Sequence, residues 1–483
     1  MKKNVTIKIM QNILSLGFAQ ILTGIIHLGL FVFLARVLEV KTFGKYEFSL
    51  SFYTFFGYIA AFGMNKIGMR EVARVHEDSS EKVSLFTGNL LSLRLILSLL
   101  SYALLFAAVM MINKPQEMKN LILLNGSALF FGFLSLEWLF IGIEKMQYVL
   151  VSRVVKAATF LLLALLMVKG PESLMFVAAA RVISVVAGIF VLLFFYGKIY
   201  GKIKLHKNYD TWKYILRASY PIFATTIMTG IYLKLDSIML GFMKTNTDVG
   251  LYSAVYRIIL FFVGIRALAL TSIFPALSVS FKRSKEELDT LVTVSTKTAL
   301  FFMVPISIIL FFGAPQIIDI VLGSSYLKGV DAFRILCFSL FILGLNFVFN
   351  QLQIACDREN IYLRIIIFGV LTNIVLNALL IPRFGIEGAA AATVAADIAA
   401  LIVSWFCSKD VVSVNIPKMI FPPVLGAIIM TIVIIMTYNV NMLVALLSGC
   451  TAYVTILFFL NYIDLSIIAE VINDKKRIFF KRR

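Results

Sequence analysis

The sequence predicts an all-α polytopic membrane protein of about fourteen transmembrane helices, with two six-helix parallel repeats forming two lobes around a central cavity, plus two extra C-terminal helices. Three observations predict it. The 483 residues are 60% hydrophobic and 15% charged, with 43 Phe, and mean hydropathy is +0.93, a composition of chains solvated by lipid. Apolar windows long enough to cross hydrocarbon recur along the chain. Short blocks of the first half return in the second, in order and at near-constant spacing.

In chain order, the basic segment Met1 to Met10, carrying Lys2, Lys3 and Lys8, leads straight into an apolar span. No small-residue cleavage site follows, so no cleavable signal is expected. The spans fall near 11–35, 43–64, 84–112, 120–142, 147–168, 173–196, 214–241, 249–276, 292–312, 332–355, 361–381, 386–407, 419–438 and 441–462. Loop charge sets their direction. One side collects the amino terminus, Lys66/Arg70/Arg74, Lys198 to Lys213, Lys282/Arg283/Lys285, Lys409/Lys418 and the tail Lys475 to Arg483. The other holds Arg36, Lys41, Lys45, Lys114, Lys119, Lys169, Lys244, Lys328, Arg334 and Arg383. Roughly thirty cations against ten puts both termini in the cytoplasm and requires an even number of spans.

The expected organisation is an N-lobe at 1–196, a basic cytoplasmic linker at 197–213, a C-lobe at 214–408, two further spans within 409–462 and a basic tail at 463–483. The linker suits contact with anionic lipid headgroups. The net charge of +19 follows from cytoplasmic loops, so nucleic acid is not an expected partner. Cys337, Cys356, Cys407 and Cys450 show neither metal-ligand nor disulfide-framework spacing. HExxH, GxSxG and GxxxxGK[ST] are all missing, so neither an enzyme nor an ATP motor is expected, and no cofactor.

The repeat is read from residues. A shift of 206 lays Thr23-Gly24-Ile25 on Thr229-Gly230-Ile231 and Gly44-x-Tyr46 on Gly250-x-Tyr252, and a shift of 214 lays Glu144 to Tyr148 over Arg358 to Tyr362. Six spans separate the copies, so both have the same orientation. Parallel repeats about an axis along the membrane normal are a transporter architecture, with substrate between the lobes near the midplane.

Polar residues inside spans then mark the candidate site, because a charge in hydrocarbon is expensive. Thr225, Thr229, Tyr232 and Asp236 share one face of the seventh span, after Pro221. Lys234 points away from that stripe. On the eighth span Arg257 shares a face with Ser253, Gly264 and Thr271, while Arg266 points to the opposite side. Asp236 and Arg257 sit at similar depth, which allows either an ion pair holding the second lobe together or a cavity face presenting a cation. Glu47, Ser51, Thr54 and Tyr58 stripe the second span, where Ser51 is the repeat equivalent of Arg257; Gln20, Thr23 and His27 stripe the first. Arg94 and Arg181 lack such a stripe, and pairing within a lobe or snorkelling is expected of them. Glu137 and Asp397 are candidates for proton or ion coupling or for interhelical hydrogen bonds.

Several motifs now align. They are Leu34 to Phe43 followed by Gly44-Lys45-Tyr46, then Gly63 and Met69-Arg70-Glu71-Val72-Ala73-Arg74. In the second half they are Leu235 to Gly241, Val249 to Ala254 and Gly385-Ile386-Glu387-Gly388-Ala389-Ala390. With these the chain resembles the polysaccharide-export branch, the Wzx-type oligosaccharide flippases, of the multidrug/oligosaccharidyl-lipid/polysaccharide exporter superfamily. The resemblance covers nearly the whole chain. It implies a flippase moving polyprenyl-diphosphate-linked oligosaccharide (an O-antigen, capsule or exopolysaccharide repeat unit) from the inner to the outer leaflet of a bacterial plasma membrane by alternating access, with the polysaccharide assembly machinery as a further partner. The first, second, seventh and eighth spans are then expected to line the cavity. On that reading Arg257, Lys234 and Arg266 hold the diphosphate, Asp236, His27, Glu47, Ser51, Thr229 and Tyr232 complete the cavity, and Lys66, Arg70 and Arg74 form the cytoplasmic mouth. A peptidoglycan-precursor flippase and a multidrug antiporter of the same superfamily remain alternatives. A membrane glycan polymerase is the alternative of a different class, although it would need a larger outer loop.

Overall fold

The computed structural model describes residues 22–76, 79–271, 273–439 and 441–462. Lys2, Lys3, Lys8, Gln20, the start of span 11–35 and the tail 463–483 lie outside the described residues. Among the described residues the chain is helical without strands, and ten helices are long and apolar enough to cross a membrane. In hydrocarbon a helix satisfies its own backbone, which is why a chain of this composition folds so.

By compactness the chain divides into two units. The first comprises the described residues through Ala254, with Asp319–Gly329 and Asn373–Ala389. The sequence-derived lobes are a different partition, by repeat rather than by packing. In this first unit α1 (Leu22–Val37) precedes α2 (Glu39–Ala61), α3 (Met64–Val75) and α4 (Ser80–Met111). A single helix is expected over 120–142, but the chain there breaks into α5 (Gln116–Gly126), α6 (Leu129–Gly132) and α7 (Glu137–Gly142). Breaking a helix at membrane depth frees carbonyls that must find donors. Arg94, buried on α4, supplies them: its guanidinium donates to the carbonyls of Gly132 and Ser135, both at 3.0 Å. Then follow α8 (Met146–Met167), α9 (Leu174–Tyr200) and α10 (Tyr209–Met243). Trp138, Leu90, Met64, Tyr196 and Ile215 bring α3, α4, α7, α9 and α10 into one core.

Helices α2 and α10 lie antiparallel along their length. Phe62 stacks on Phe223 at 4.3 Å, the Tyr58 ring covers Gly230, and the Phe48 ring covers Gly241. Gly63, at φ 69°, ends α2 where the backbone of Ser219 and Phe223 comes close; an added Cβ would sit 2.9 Å and 2.8 Å from it. At the far end α2 meets the start of α11 (Asn246–Thr271). There a Cβ on Gly44 would strike the carbonyl of Asn246, and one on Gly250 would strike the carbonyl of Val40. The contact is reciprocal, since Val40 and Asn246, like Gly44 and Gly250, are 206 residues apart. Small residues that let backbones touch replace the hydrophobic effect as glue where lipid is as apolar as leucine.

Three cations of the sparser loop set have defined work in this unit. Arg36 donates to the carbonyls of Ile320 and Val321 at the end of α14 (Ala314–Val321). Lys114 donates to the carbonyl of Gly241 in the last turn of α10 and lies over the Phe48 and Phe242 rings at 5.4 and 5.8 Å. Lys244 donates to the carbonyl of Pro382 at 2.9 Å. Each satisfies carbonyls that a helix end leaves without a donor and complements its dipole.

The second unit comprises Val255–Ile318, Val330–Thr372 and the described residues from Ala390 on. It holds most of α11, then α12 (Phe274–Arg283), α13 (Lys285–Phe312), α15 (Val330–Ala355), α17 (Ile416–Thr437) and α18 (Met442–Phe459). Tyr453 of α18 is buried and its hydroxyl donates to the Leu300 carbonyl of α13 at 3.3 Å. Spans 361–381 and 386–407 are two helices within α16 (Glu359–Phe406), separated by a kink where Gly385 adopts φ 61° and ψ −128°. Pro382 lies just upstream, and only glycine takes that backbone readily. Outward rows such as Leu162, Leu165 and Leu166 on α8, or Ile428, Ile432 and Ile435 on α17, are exposed, as lipid-facing surfaces are. All four cysteines are free.

The glycine crossing generates a prediction. Gly250→Val should lower the melting temperature of the purified protein, costing about 1–3 kcal/mol, because a carbonyl oxygen opposes the new methyls and cannot rotate away. Gly264→Val, in a helix with open space at that position, should not. Thermal unfolding in detergent with size-exclusion monodispersity checks both.

Candidate functional site

The polar stripe of α10 is the centre of the site. Asn208 caps the helix by accepting from the Thr211 amide at 2.9 Å, and Asp210 sits in the first turn, a favourable start. Pro221 within the helix withdraws one amide donor. Just beyond it the threonines turn inward on the helix itself. Thr225 and Thr226 donate to the Ile222 carbonyl at 2.9 and 2.7 Å, and Thr229 donates to the Thr225 carbonyl at 2.9 Å. With their protons used, these hydroxyls retain acceptor capacity, which suits ligands rich in O–H donors.

The stripe grades from open to sealed. Thr229 is exposed, Thr225 and Tyr232 are half-buried, and Asp236 is 2% exposed. Its carboxylate accepts from the Tyr252 hydroxyl at 2.7 Å and from the Asn377 amide at 2.6 Å. Asn377 also donates to Asn373 at 3.0 Å, and Ser237 lies 3.1 Å from Ser253 beside them. This buried cluster ties α10 to α11 and to the 373–389 segment. Donors from two further segments hold the carboxylate's orientation. Lys234 is half-buried.

The remaining expected residues are dispersed. Arg257 is half-buried, between the buried Tyr256 and Ile258, and belongs to the second unit. Arg266 lies within α11. His27 is exposed and Thr23 buried on α1. On α2, Glu47 and Ser51 are sealed at 2% and 0% exposure, and Ser51 donates to the Glu47 carbonyl at 2.9 Å. Thr54 and Tyr58 are half-buried. Of the coupling candidates, Glu137 accepts two bonds from Arg153 at 2.7 and 3.1 Å, and Asp397 is buried, with its carbonyl accepting from Asn346.

On α3, Lys66, Arg70 and Arg74, the expected mouth residues, are exposed. Glu71 organises two of them. It accepts from Arg70 at 2.9 Å, from Arg74 at 3.3 Å and from the Tyr214 hydroxyl of α10 at 2.8 Å. Burial alone pushes this carboxyl up, but the Tyr214 and Arg70 hydrogen bonds and the Arg74 charge outweigh it and hold it below the ordinary glutamate value. Arg70 is raised in turn, chiefly by its bond to Glu71.

Several partners escape the stripe analysis. Asn373 and Asn377, four residues apart in an apolar span, are the signal that Asp236 has amide partners. Glu71 sits in the Met69-to-Arg74 block, between the arginines it joins.

The comparisons with known proteins fit this arrangement. Residues 9–281 match the family model described as polysaccharide biosynthesis protein. The chain belongs to that family. A putative O-antigen transporter of Shigella dysenteriae is 23% identical over 361 residues, covering 73% of this chain and 88% of that protein. The probable low-salt glycan biosynthesis flippase Agl15 of Haloferax volcanii is 24% identical over 163 residues, and the chain spans only 34% of its length. The fold of the lipid II flippase MurJ, in an inward closed conformation, matches at a TM-score of 0.76 and 19% identity, over 92% of this chain and 98% of that one. At that identity the family member shares a fold with it and no more.

Two outcomes follow from the geometry. Because Glu71 is depressed, its bonds stabilise the protein above the ordinary glutamate range and are lost as pH falls through it. Wild type should lose about 1 kcal/mol or less over that window, whereas Glu71→Gln should show no such step in a pH series of thermal unfolding. Asp236→Asn should cost about 1–3 kcal/mol, since an amide presented to the Asn377 donor leaves buried groups unsatisfied; the same unfolding assay at neutral pH reads it.

Proposed function

We propose that this family member is a flippase carrying polyprenyl-diphosphate-linked oligosaccharide from the cytoplasmic to the outer leaflet by alternating access. The observation that carries this reading is the α10 stripe, open at Thr229 and sealed at Asp236, on a membrane-spanning helix flanked by Lys234 and followed by Arg257. A diphosphate crossing hydrocarbon unpaired is prohibitively costly. Arginine answers that cost, since it stays charged and matches phosphate oxygens with a planar fork. Arg257, Lys234 and Arg266 hold the diphosphate, while Thr225, Thr229 and Tyr232 accept from sugar hydroxyls. His27, Glu47, Ser51 and Asp236 shape and brace the walls. The lipid tail stays in the membrane. The protein is a transporter rather than an enzyme.

The chain crosses the membrane fourteen times as two parallel six-helix repeats, 1–196 and 214–408, joined by the basic linker 197–213 and followed by two spans within 409–462 and the tail. The reciprocal meeting of Val40 and Gly44 with Asn246 and Gly250, residues 206 apart, supports the repeat. Cationic loops support cytoplasmic termini in a bacterial inner membrane, with anionic lipids against the linker. Lys66, Arg70 and Arg74 gather substrate at the mouth, beside the polysaccharide assembly machinery. A peptidoglycan-precursor flippase is the second reading, favoured by the likeness to the MurJ fold; it requires the same diphosphate chemistry.

Reconstitution in vesicles with labelled polyprenyl-diphosphate glycans, read by outer-leaflet accessibility, tests the assignment. Arg257→Ala should slow flipping by about tenfold or more, and Arg257→Lys should fall between it and wild type. Unchanged flipping by folded Arg257→Ala would remove that residue from the site. Offering a peptidoglycan precursor in parallel separates the two substrate readings.

A further inference from the structure

Arg181 stands apart from the other buried cations of the first unit. It lies seven residues into α9, roughly 10 Å along the helix axis. It shares a face with Val177, Ser184 and Gly188, all buried, while lipid-facing Phe190 and Phe194 point elsewhere. Pairing within the lobe or snorkelling is the sequence expectation, and among the described residues no carboxylate pairs with Arg181. Among the described residues its polar partner is the Asn125 side-chain oxygen at 3.2 Å, and its flat face lies 4.0 Å from the Tyr53 ring centroid. Arg94 and Arg153 differ: the first is spent on carbonyls of the broken helix, the second on Glu137.

The support beneath Arg181 is built. Asn125 is fully buried and its amide nitrogen donates to Ser49 Oγ at 2.8 Å and to the Leu121 carbonyl at 3.3 Å. Those two bonds fix which end of the amide faces the guanidinium. Ser49, also fully buried, donates to the same Leu121 carbonyl. Amide and ring together hold one face and one N–H of a group with five donors. The residue is half-buried, and its Nε and Nη2 are not among the sealed side-chain atoms without a partner, so that N–H edge is neither sealed nor consumed. An arginine kept in a span, oriented by locked neighbours and given no counter-charge, is poised for an anion that arrives from outside.

We propose that Arg181, positioned by Asn125 and Tyr53, forms a second oxyanion subsite in the first unit, taking two coplanar oxygens of a phosphate or a carboxylate. It rests on the flippase reading for where that anion comes from: the diphosphate of the carrier lipid, or an acidic sugar of its glycan. The Tyr53 ring covers one face and Asn125 takes one N–H, which leaves the Nε–Nη2 edge for bidentate capture.

The test is equilibrium binding to the full chain in phosphatidylcholine nanodiscs. The probes are a short-chain polyprenyl diphosphate, the polyprenol of the same length, and glucuronate. Arg181→Gln should weaken diphosphate binding about tenfold or more and leave polyprenol unchanged, with Arg181→Lys between the two. If glucuronate affinity falls instead, the subsite stands and its anion is the sugar acid. Unchanged affinity for both anions in folded Arg181→Gln overturns the proposal. Should that variant fail to fold, Asn125→Asp serves, because it gives the arginine a carboxylate and lets Ser49 donate to it. Anion affinity should fall in Asn125→Asp as well, and wild-type affinity there also overturns the proposal. Binding needs no transport. Wild type that binds anions through Arg181 yet flips nothing defeats the flippase reading alone, whereas normal flipping with Arg181-independent binding defeats the subsite alone.

Discussion

Hydrocarbon offers a polar group no partner, so a donor or acceptor in the spans of this protein is stabilised when the protein answers it or when it faces water. That constraint explains features that look unrelated. Arg94 sits fully buried in α4 because α5, α6 and α7 are breaks in one crossing whose freed carbonyls need a donor. The threonines after Pro221 bond back to α10 for the same reason. Arg36, Lys114 and Lys244 are few on their side of the chain, yet each finishes a helix end. Thr229 is exposed and Arg181 half-buried, so neither is sealed within the fold.

Much of the architecture is legible from composition, because a spanning helix is announced by its length and lack of charge. The exceptions have physical causes. Residues 120–142 read as one helix because their apolarity is unbroken, and hydropathy is blind to backbone geometry. The cue lay on another helix, in a buried Arg94 without a stripe. The boundary between spans 361–381 and 386–407 is legible, since Pro382 and Gly385 mark the kink that separates the two helices. Helical periodicity finds faces but not what they face. It groups Glu47 and Ser51 with Thr54 and Tyr58, although the first two are sealed and the others are half-open. It also leaves Arg181 unassigned, since Asn125 and Tyr53 come from other helices. Contacts between spans remote in sequence are what a one-dimensional pattern lacks.

The crossing of α2 with α10 and the start of α11 ties these observations to movement. Backbones approach directly at Gly44 and Gly250, whereas the Tyr58 and Phe48 rings close over Gly230 and Gly241. Such a contact gains dispersion from close backbones but little from excluding lipid, so parting it forfeits area without exposing a core. Its two ends are secured differently. At one, the Arg70–Glu71–Tyr214 group is accessible to water and joins α3 to α10 through charge. At the other, Lys114 is wedged over Phe48 and Phe242 against the end of α10. A carrier that opens to alternate sides must break one set while keeping the other. Water-accessible ionic bonds exchange readily for hydration, whereas an ammonium pressed on two aromatic rings surrenders both its acceptor and its cation–π contacts at once. The asymmetry makes the Glu71 end the easier one to open.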